Sequence, residues 1–260
     1  MTGTGDGAPP LLQARELRKS YGSVQALRGA SFDLSAGEVV ALIGDNGAGK
    51  STLVKCLSGV EQPDSGEILI DGKPVVLDSP NTARRHGIET AYQDLAVAPD
   101  LDPAANLFLG RERFRPGVLG KLGMLDKAAM RREAAEHFAR LGVTLQDLDV
   151  PIGSLSGGQR QSVAVARSVV WASRVVFLDE PTAALGVVQR ERVLEVIRRV
   201  RDTGVAVVLI SHNMPEVLAV ADRIEVLRLG TRVARFTASD VTLEQLVAAM
   251  TGALTQEEGR

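Results

Sequence analysis

At 260 residues, with 45% apolar side chains but only 3% aromatic ones, the chain has material for a sizeable core filled mainly by aliphatic groups. A formal net charge of −2 gives no whole-chain attraction to nucleic acid or to an anionic membrane surface. The single cysteine, Cys56, excludes an intramolecular disulfide, and its place on a helical run marks it as core filler.

Met1 to Pro10 is rich in Gly, Thr and Pro, lacks the basic-then-apolar pattern of a secretion signal, and reads as a disordered tail. No apolar run approaches the roughly 20 residues needed to span a bilayer. The longest candidates, such as Val205 to Ile210, are strand-like, so the chain is expected to be soluble, with any membrane role supplied through a partner. Leu11 to Tyr21 and Ala30 to Leu34 are strand-like, and Gly37 marks a turn. Glu38-Val39-Val40-Ala41-Leu42-Ile43 reads as a buried strand that leads into Gly44-Asp45-Asn46-Gly47-Ala48-Gly49-Lys50-Ser51-Thr52. Thr52 to Leu57 then reads as the first turns of a helix. Strand, glycine loop and helix in that order are the context of a phosphate-binding P-loop. The glycines let the backbone curl, so that N–H groups of Gly44, Asn46, Gly47, Ala48, Gly49, Lys50, Ser51 and Thr52 face phosphate oxygens, and the helix N-terminus adds partial positive charge. Lys50 can reach β- and γ-phosphates, and Ser51 can ligate Mg²⁺.

Gly66 to Leu77 reads as a hairpin, with Asp71-Gly72 supplying the turn. It belongs with the first strands to an antiparallel sheet beside the nucleotide core. From about Asp94 to Val170 the pattern turns helical. Pro103 to Leu109 reads as a helix and Arg111 to Leu125 as a loop. Asp126 is a candidate N-cap for a helix that buries Met130, Ala134, Phe138 and Leu141, and Gly142 is its stop. Arg174 to Leu178 is a second core strand, Val187 to Asp202 a helix, and Val205 to Ile210 a third core strand. Pro215 to Ala221 is a short helix, Arg223 to Phe236 a hairpin, and Leu243 to Met250 a last helix behind Thr242. Alternation of strand and helix implies a mostly parallel sheet covered on both faces.

Ligands in such sheets sit at the carboxyl ends of the strands. One strand ends in the P-loop, one in Asp179-Glu180 and one in Ser211-His212. Asp179 fits the role of holding Mg²⁺, and Glu180 can orient or deprotonate the attacking water. His212 is placed to contact the γ-phosphate. Leu155-Ser156-Gly157-Gly158-Gln159 precedes a further helix and offers a second anion site. If both sites cannot meet one nucleotide within a chain, the second serves a neighbouring chain, which gives a two-fold dimer.

The P-loop, Leu155 to Gln159, the Asp179-Glu180 strand end and His212, in that order, resemble the nucleotide-binding subunit of an ABC transporter over about Leu11 to Gly252. The resemblance implies an α/β P-loop ABC-ATPase fold: a mostly parallel core sheet, an antiparallel β subdomain and a helical subdomain at about 95–170, with tails at 1–10 and 253–260. It implies ATP and Mg²⁺ as ligands and a head-to-tail homodimer that closes on ATP. Tyr21 is similar to the aromatic residue that stacks on adenine, and Gln93 to the glutamine that contacts the metal and links core to helical subdomain. Ser156, Gly157, Gly158 and Gln159 correspond to the signature that closes over the partner's γ-phosphate. Tyr92 to Leu95, Ala105 to Glu112, Gln161 to Ala164, Pro181 to Gly186 and Leu243 to Gly252 look like monosaccharide importers of the ribose, xylose and fructose type. That subgroup implies permease partners, an extracytoplasmic sugar-binding protein and a peripheral location on the cytoplasmic face of the membrane. The alternative is a non-transport ABC ATPase of iron–sulfur-assembly or translation-associated type. Gly186 departs from the aspartate common in ABC ATPases, and the importer subgroup shares the departure.

Overall fold

The computed structural model describes residues 9–91, 97–145, 147–183 and 185–254. Strand β1 (Leu12–Tyr21) pairs antiparallel with β2 (Val24–Leu34). β2 begins well before the Ala30 expected from sequence, because between Val24 and Gly29 only Leu27 is buried and no alternation shows. β3 (Val39–Ile43) is buried at every position and leads to α1 (Lys50–Leu57). β4 (Ser65–Ile70) and β5 (Lys73–Val75) form the expected hairpin. Its turn residues Asp71 and Gly72 take φ of +51° and +72°, the region an Asp-Gly pair tolerates. These four strands make an antiparallel sheet in the order β2-β1-β4-β5. α2 (Pro80–Arg85), capped by the Ser79 side chain, leads into β6 (Ile88–Ala91).

Four helices follow: α3 (Pro103–Phe108), α4 (Val118–Lys121), α5 (Lys127–Leu141) and α6 (Gly157–Trp171). Asp126 caps α5 by accepting from Ala129 N–H, and Gly142 ends it in the left-handed conformation. Met130, Ala134, Phe138 and Leu141 are buried, as their spacing predicts. Residues 111–125 are not one loop. They contain α4 and a bridge between Phe114 and Leu125. α4 buries no residue, so it leaves no periodic signal in the sequence.

The remaining elements are β7 (Val175–Asp179), α7 (Val187–Asp202), β8 (Ala206–Ile210), α8 (Met214–Val220), β9 (Arg223–Arg228), β10 (Thr231–Thr237) and α9 (Leu243–Thr251). They complete a six-stranded sheet in the order β10-β9-β3-β8-β7-β6, parallel except for β10. Side chains alternate between two cores, as strand geometry requires. Val176, Leu178, Val207 and Leu209 pack with α3, α5, α6 and α7. Val175, Phe177, Val208 and Ile210 pack with α1 and the antiparallel sheet.

A buried ion cluster joins the two sheets. Glu225 of β9, fully buried, meets Arg223, Arg232 and Arg235, and all three arginines also reach Asp33 of β2. Removing one partner of such a cluster typically costs about 3–5 kcal/mol, since a charge is left buried without its counterion. On α1, Cys56 is completely buried, and loss of solvation pushes its thiol up to about 11. Cys56 is expected to resist a thiol-specific chromogenic reagent at about pH 8 and to react at once in denaturant. Between the unfolded thiol's ionisation near about 8.5 and the folded value of about 11, stability falls as pH rises. Urea midpoints across that interval, compared with Cys56→Ser, check the sign.

Candidate nucleotide-binding and hydrolysis site

The loop 44–49 is held between the two sheets. Gly230 N–H, in the β9–β10 turn, donates to Ala48 O at 2.9 Å, and Arg28 N–H of β2 donates to Gly230 O at 2.8 Å. Gly44 has φ +151°, and a Cβ there would lie 2.2 Å from the Leu227 carbonyl oxygen. Gly49 has φ +103°, and a Cβ there would lie 2.7 Å from the Ala26 carbonyl oxygen. Both glycines are therefore required by strand β9 on one side and strand β2 on the other. At its core-facing end the Lys50 ammonium donates to Gly44 O at 2.8 Å and Asp45 O at 3.0 Å. Partial burial pulls this ammonium below its usual range, against Glu180, Asp179 and Asp45, which push it back up. Ser51 is exposed beside it, and the Thr52 side chain interacts with the Tyr21 hydroxyl. Tyr21 lies at the end of β1 with 42% of its surface exposed, and the Lys19 ammonium sits over its ring, 5.6 Å from the centroid.

Asp179 closes β7, and burial followed by the neighbouring Glu180 raises its carboxyl above the ordinary aspartate range. Glu180 takes φ +50°, a left-handed turn that only a constrained non-glycine residue holds. Its N–H donates to Ile210 O at 2.9 Å. Its Oε1 lies 2.5 Å from Nδ1 of His212, which follows β8. A carboxylate only accepts, so Nδ1–H is the donor and Nε2 is directed elsewhere. The His212 side chain is 75% exposed, so this pair faces open space. Sequence reading put the two residues on separate strand ends and did not foresee their contact. The parallel register, in which Asp179 pairs with Ile210, creates it.

Ser156 caps α6. Its Oγ accepts from Gln159 N–H at 3.3 Å, and Gln159 Oε1 accepts from Ser156 N–H at 3.1 Å. The Gln159 side chain is thus engaged within its own chain. First-turn N–H groups of Gly157 and Gly158 have no intrahelical acceptor and are left for an anion. A Cβ on Gly158 would fall 2.2 Å from Gln189 Cγ, and one on Gly186 2.7 Å from Gln189 Oε1. Among the described residues, no hydrogen bond or ion pair joins Ser156 to Gln159 with the P-loop. Gln93, together with Tyr92 to Leu95 and Ala184, lies outside the described residues.

The arrangement defines a P-loop nucleotide-binding protein of the ATP-binding-cassette fold. The ABC transporter family pattern matches residues 27–183, and the chain belongs to that family. It is 53% identical over 246 residues to the fructose import ATP-binding protein of Rhizobium meliloti, covering 94% of this chain and 95% of that one. It is 45% identical over 241 residues to the xylose/arabinose import ATP-binding protein of Sulfolobus acidocaldarius, covering 93% and 94%. The ribose import ATP-binding protein of Lacticaseibacillus paracasei is 39% identical over 93% of this chain, which spans 47% of that protein. Among solved structures, cbiO1 from Clostridium perfringens, part of the ABC transporter complex cbiONQ, superposes with a TM-score of 0.75 at 26% identity, covering 94% and 95%. A dimeric ATP-binding cassette bound to ADP and Pi superposes with a TM-score of 0.72 at 23% identity, covering 87% and 98%.

Two glycine variants separate steric need from conformational preference. Gly44→Ala is expected to abolish binding of a fluorescent ATP analogue, since the Leu227 carbonyl blocks its Cβ. Gly47→Ala, with nothing within 4 Å of its Cβ, carries only the backbone cost of φ +78°, about 1–2 kcal/mol, and is expected to weaken binding without abolishing it.

Proposed function

We propose that this chain is the ATP-hydrolysing subunit of a monosaccharide importer of the fructose, xylose or ribose class. The observation that carries the hydrolytic part is the meeting of Lys50, Asp179, Glu180 and His212 at the carboxyl end of one sheet. The transport part is supported by the sugar-import relatives, two of which this chain matches over nearly their whole length. Residues 11–252 act as one nucleotide-binding domain with its helical part at about 95–170.

ATP is bound by the N–H groups of residues 44–52, with the Tyr21 ring under adenine. Lys50 turns from the carbonyls of Gly44 and Asp45 to the β- and γ-phosphates, exchanging neutral acceptors for charged ones. The Ser51 hydroxyl and the Asp179 carboxylate are hard oxygen donors suited to Mg²⁺, with Gln93 completing the set. The metal would supply charge neutralisation at the phosphates. Glu180 accepts a proton from the attacking water while His212 steadies the γ-phosphate. Ser156, Gly157 and Gly158 of a second copy close over that phosphate, so two nucleotides lie between two chains. Positioning and charge stabilisation supply most of the rate gain.

The partners are a second copy of this chain, membrane permease subunits and, indirectly, an extracytoplasmic sugar-binding protein; nucleic acid is not among them. Among the described residues no helix is long and apolar enough to cross a membrane. The chain works at the cytoplasmic face of the membrane, docked on its permease.

Glu180→Gln is expected to lower ATP turnover by about 10²- to 10⁴-fold, the usual worth of a general base. It should leave ATP affinity intact and shift the solution mass from monomer to dimer in Mg²⁺-ATP. Near-normal turnover would remove Glu180 as the base. In vesicles containing the permease, ATP turnover is expected to rise with a sugar-loaded binding protein, and testing fructose, xylose and ribose identifies the sugar.

A further inference from the structure

A second buried carboxylate lies behind the Glu180–His212 pair and takes no part in the chemistry described above. Glu216, in the first turn of α8, is 4% exposed. Its Oε2 accepts from the hydroxyl of Thr182, itself 6% exposed. Its Oε1 accepts from Asn213 Nδ2 at 2.9 Å and lies 2.8 Å from Arg190 Nε of α7. The arginine contact is ionic, because this buried Nε meets no acceptor in hydrogen-bond geometry. Arg190 also donates through Nη2 to Leu185 O at 3.2 Å, just before Gly186. Next to Thr182, the Pro181 carbonyl accepts from Gln161 Nε2 of α6 at 2.5 Å.

The three groups on Glu216 have one feature in common. Thr182 is two residues beyond Glu180, Asn213 is the residue after His212, and Arg190 holds the segment that leads into α7. Thr182 and the Leu185 carbonyl that Arg190 holds lie in the β7–α7 connection, and Asn213 lies in the loop after β8, so these contacts join two loops at the carboxyl end of the sheet. A buried carboxylate bound by two neutral donors and one cation keeps those loops at fixed spacing, and losing it strands the Arg190 charge.

We propose that Glu216 is a positioning residue that clamps the Glu180 loop to the His212 loop and holds Nδ1 of His212 against Glu180. The clamp acts through Thr182, Asn213 and Arg190, and none of these needs to touch nucleotide. The catalytic part of this inference rests on the hydrolytic role proposed above. The geometric part does not.

The test therefore has two readouts. The chain has three histidines, so long-range ¹H–¹⁵N correlation resolves each ring. In the unaltered chain, above imidazole titration, His212 is expected as the Nδ1–H tautomer. Glu216→Gln should shift it toward the Nε2–H form that free histidine favours, with the His86 and His137 signals unmoved. In turnover, Glu216→Gln should lower kcat by about 10- to 100-fold, the scale of a small misplacement, with KM within about twofold. In a His212→Ala background the same change should add nothing. Should Glu216→Gln fail to fold, Thr182→Val removes one arm at constant shape and is expected to give a smaller shift of the same kind. An unmoved His212 tautomer in a folded clamp variant overturns the proposal, as does an equal loss of kcat with and without His212. Absence of ATP turnover in the unaltered chain would instead defeat the hydrolytic reading, and the tautomer would still decide the clamp.

Discussion

Three strands of the six-stranded sheet stop at one level. Leu42 of β3 pairs with Ile210 of β8, and Asp179 of β7 pairs with the same Ile210. The P-loop, the Asp179-Glu180 turn and the His212 loop therefore leave the sheet side by side. This register is fixed by burial. A slip by one residue would send Val208 and Ile210 into the helical core and Val207 and Leu209 into the other, against differently shaped partners. The same slip would break the Glu180 N–H bond to Ile210 and part its carboxylate from His212. Chemistry at the sheet end is thus specified by packing within it.

At rest the site sets one ammonium among several carboxylates. Two adjacent carboxylates, Asp179 and Glu180, would repel without relief, and Asp179 already holds its proton more tightly than an ordinary aspartate. The Lys50 charge opposes that shift at Asp179, and the His212 ring nitrogen Nδ1 lies 2.5 Å from Glu180 Oε1. Lys50 is meanwhile tied to two carbonyls of its own loop. These are neutral acceptors, so within the chain the ammonium's charge is offset only through the field of Glu180, Asp179 and Asp45.

Local chemistry made much of this legible from sequence. The P-loop spacing, the Asp126 cap, the Asp71-Gly72 turn and the buried stripe of α5 each depend on residues within a few positions of one another. Features set by tertiary pairing were not visible. Nothing near Glu180 in sequence announces φ +50° or the bond its N–H makes to the Ile210 carbonyl on another strand. The Glu216 cluster was hidden for a related reason: α8 is only seven residues long, and a glutamate in a first turn ordinarily reads as a solvated favourable charge. The outer half of β2 and all of α4 were missed because neither buries a periodic face.

The departure at Gly186 has a structural counterpart. Its φ of −70° and ψ of 166° suit any residue, so conformation does not demand glycine. α7 begins there with no side-chain cap and no acidic residue in its first turn. Glycine in place of an aspartate cap costs a helix only about a few tenths of a kcal/mol. Space is tight at Gly158, where Gln189 Cγ and Cβ press on the backbone, whereas at Gly186 the neighbour is the movable Oε1 end of the same side chain. Gln189 therefore ties the start of α7 to the start of α6, and the two glycines admit it. In this chain position 186 serves a contact within one protomer, and the start of α6 at Gly158 is braced by Gln189 of the neighbouring helix α7.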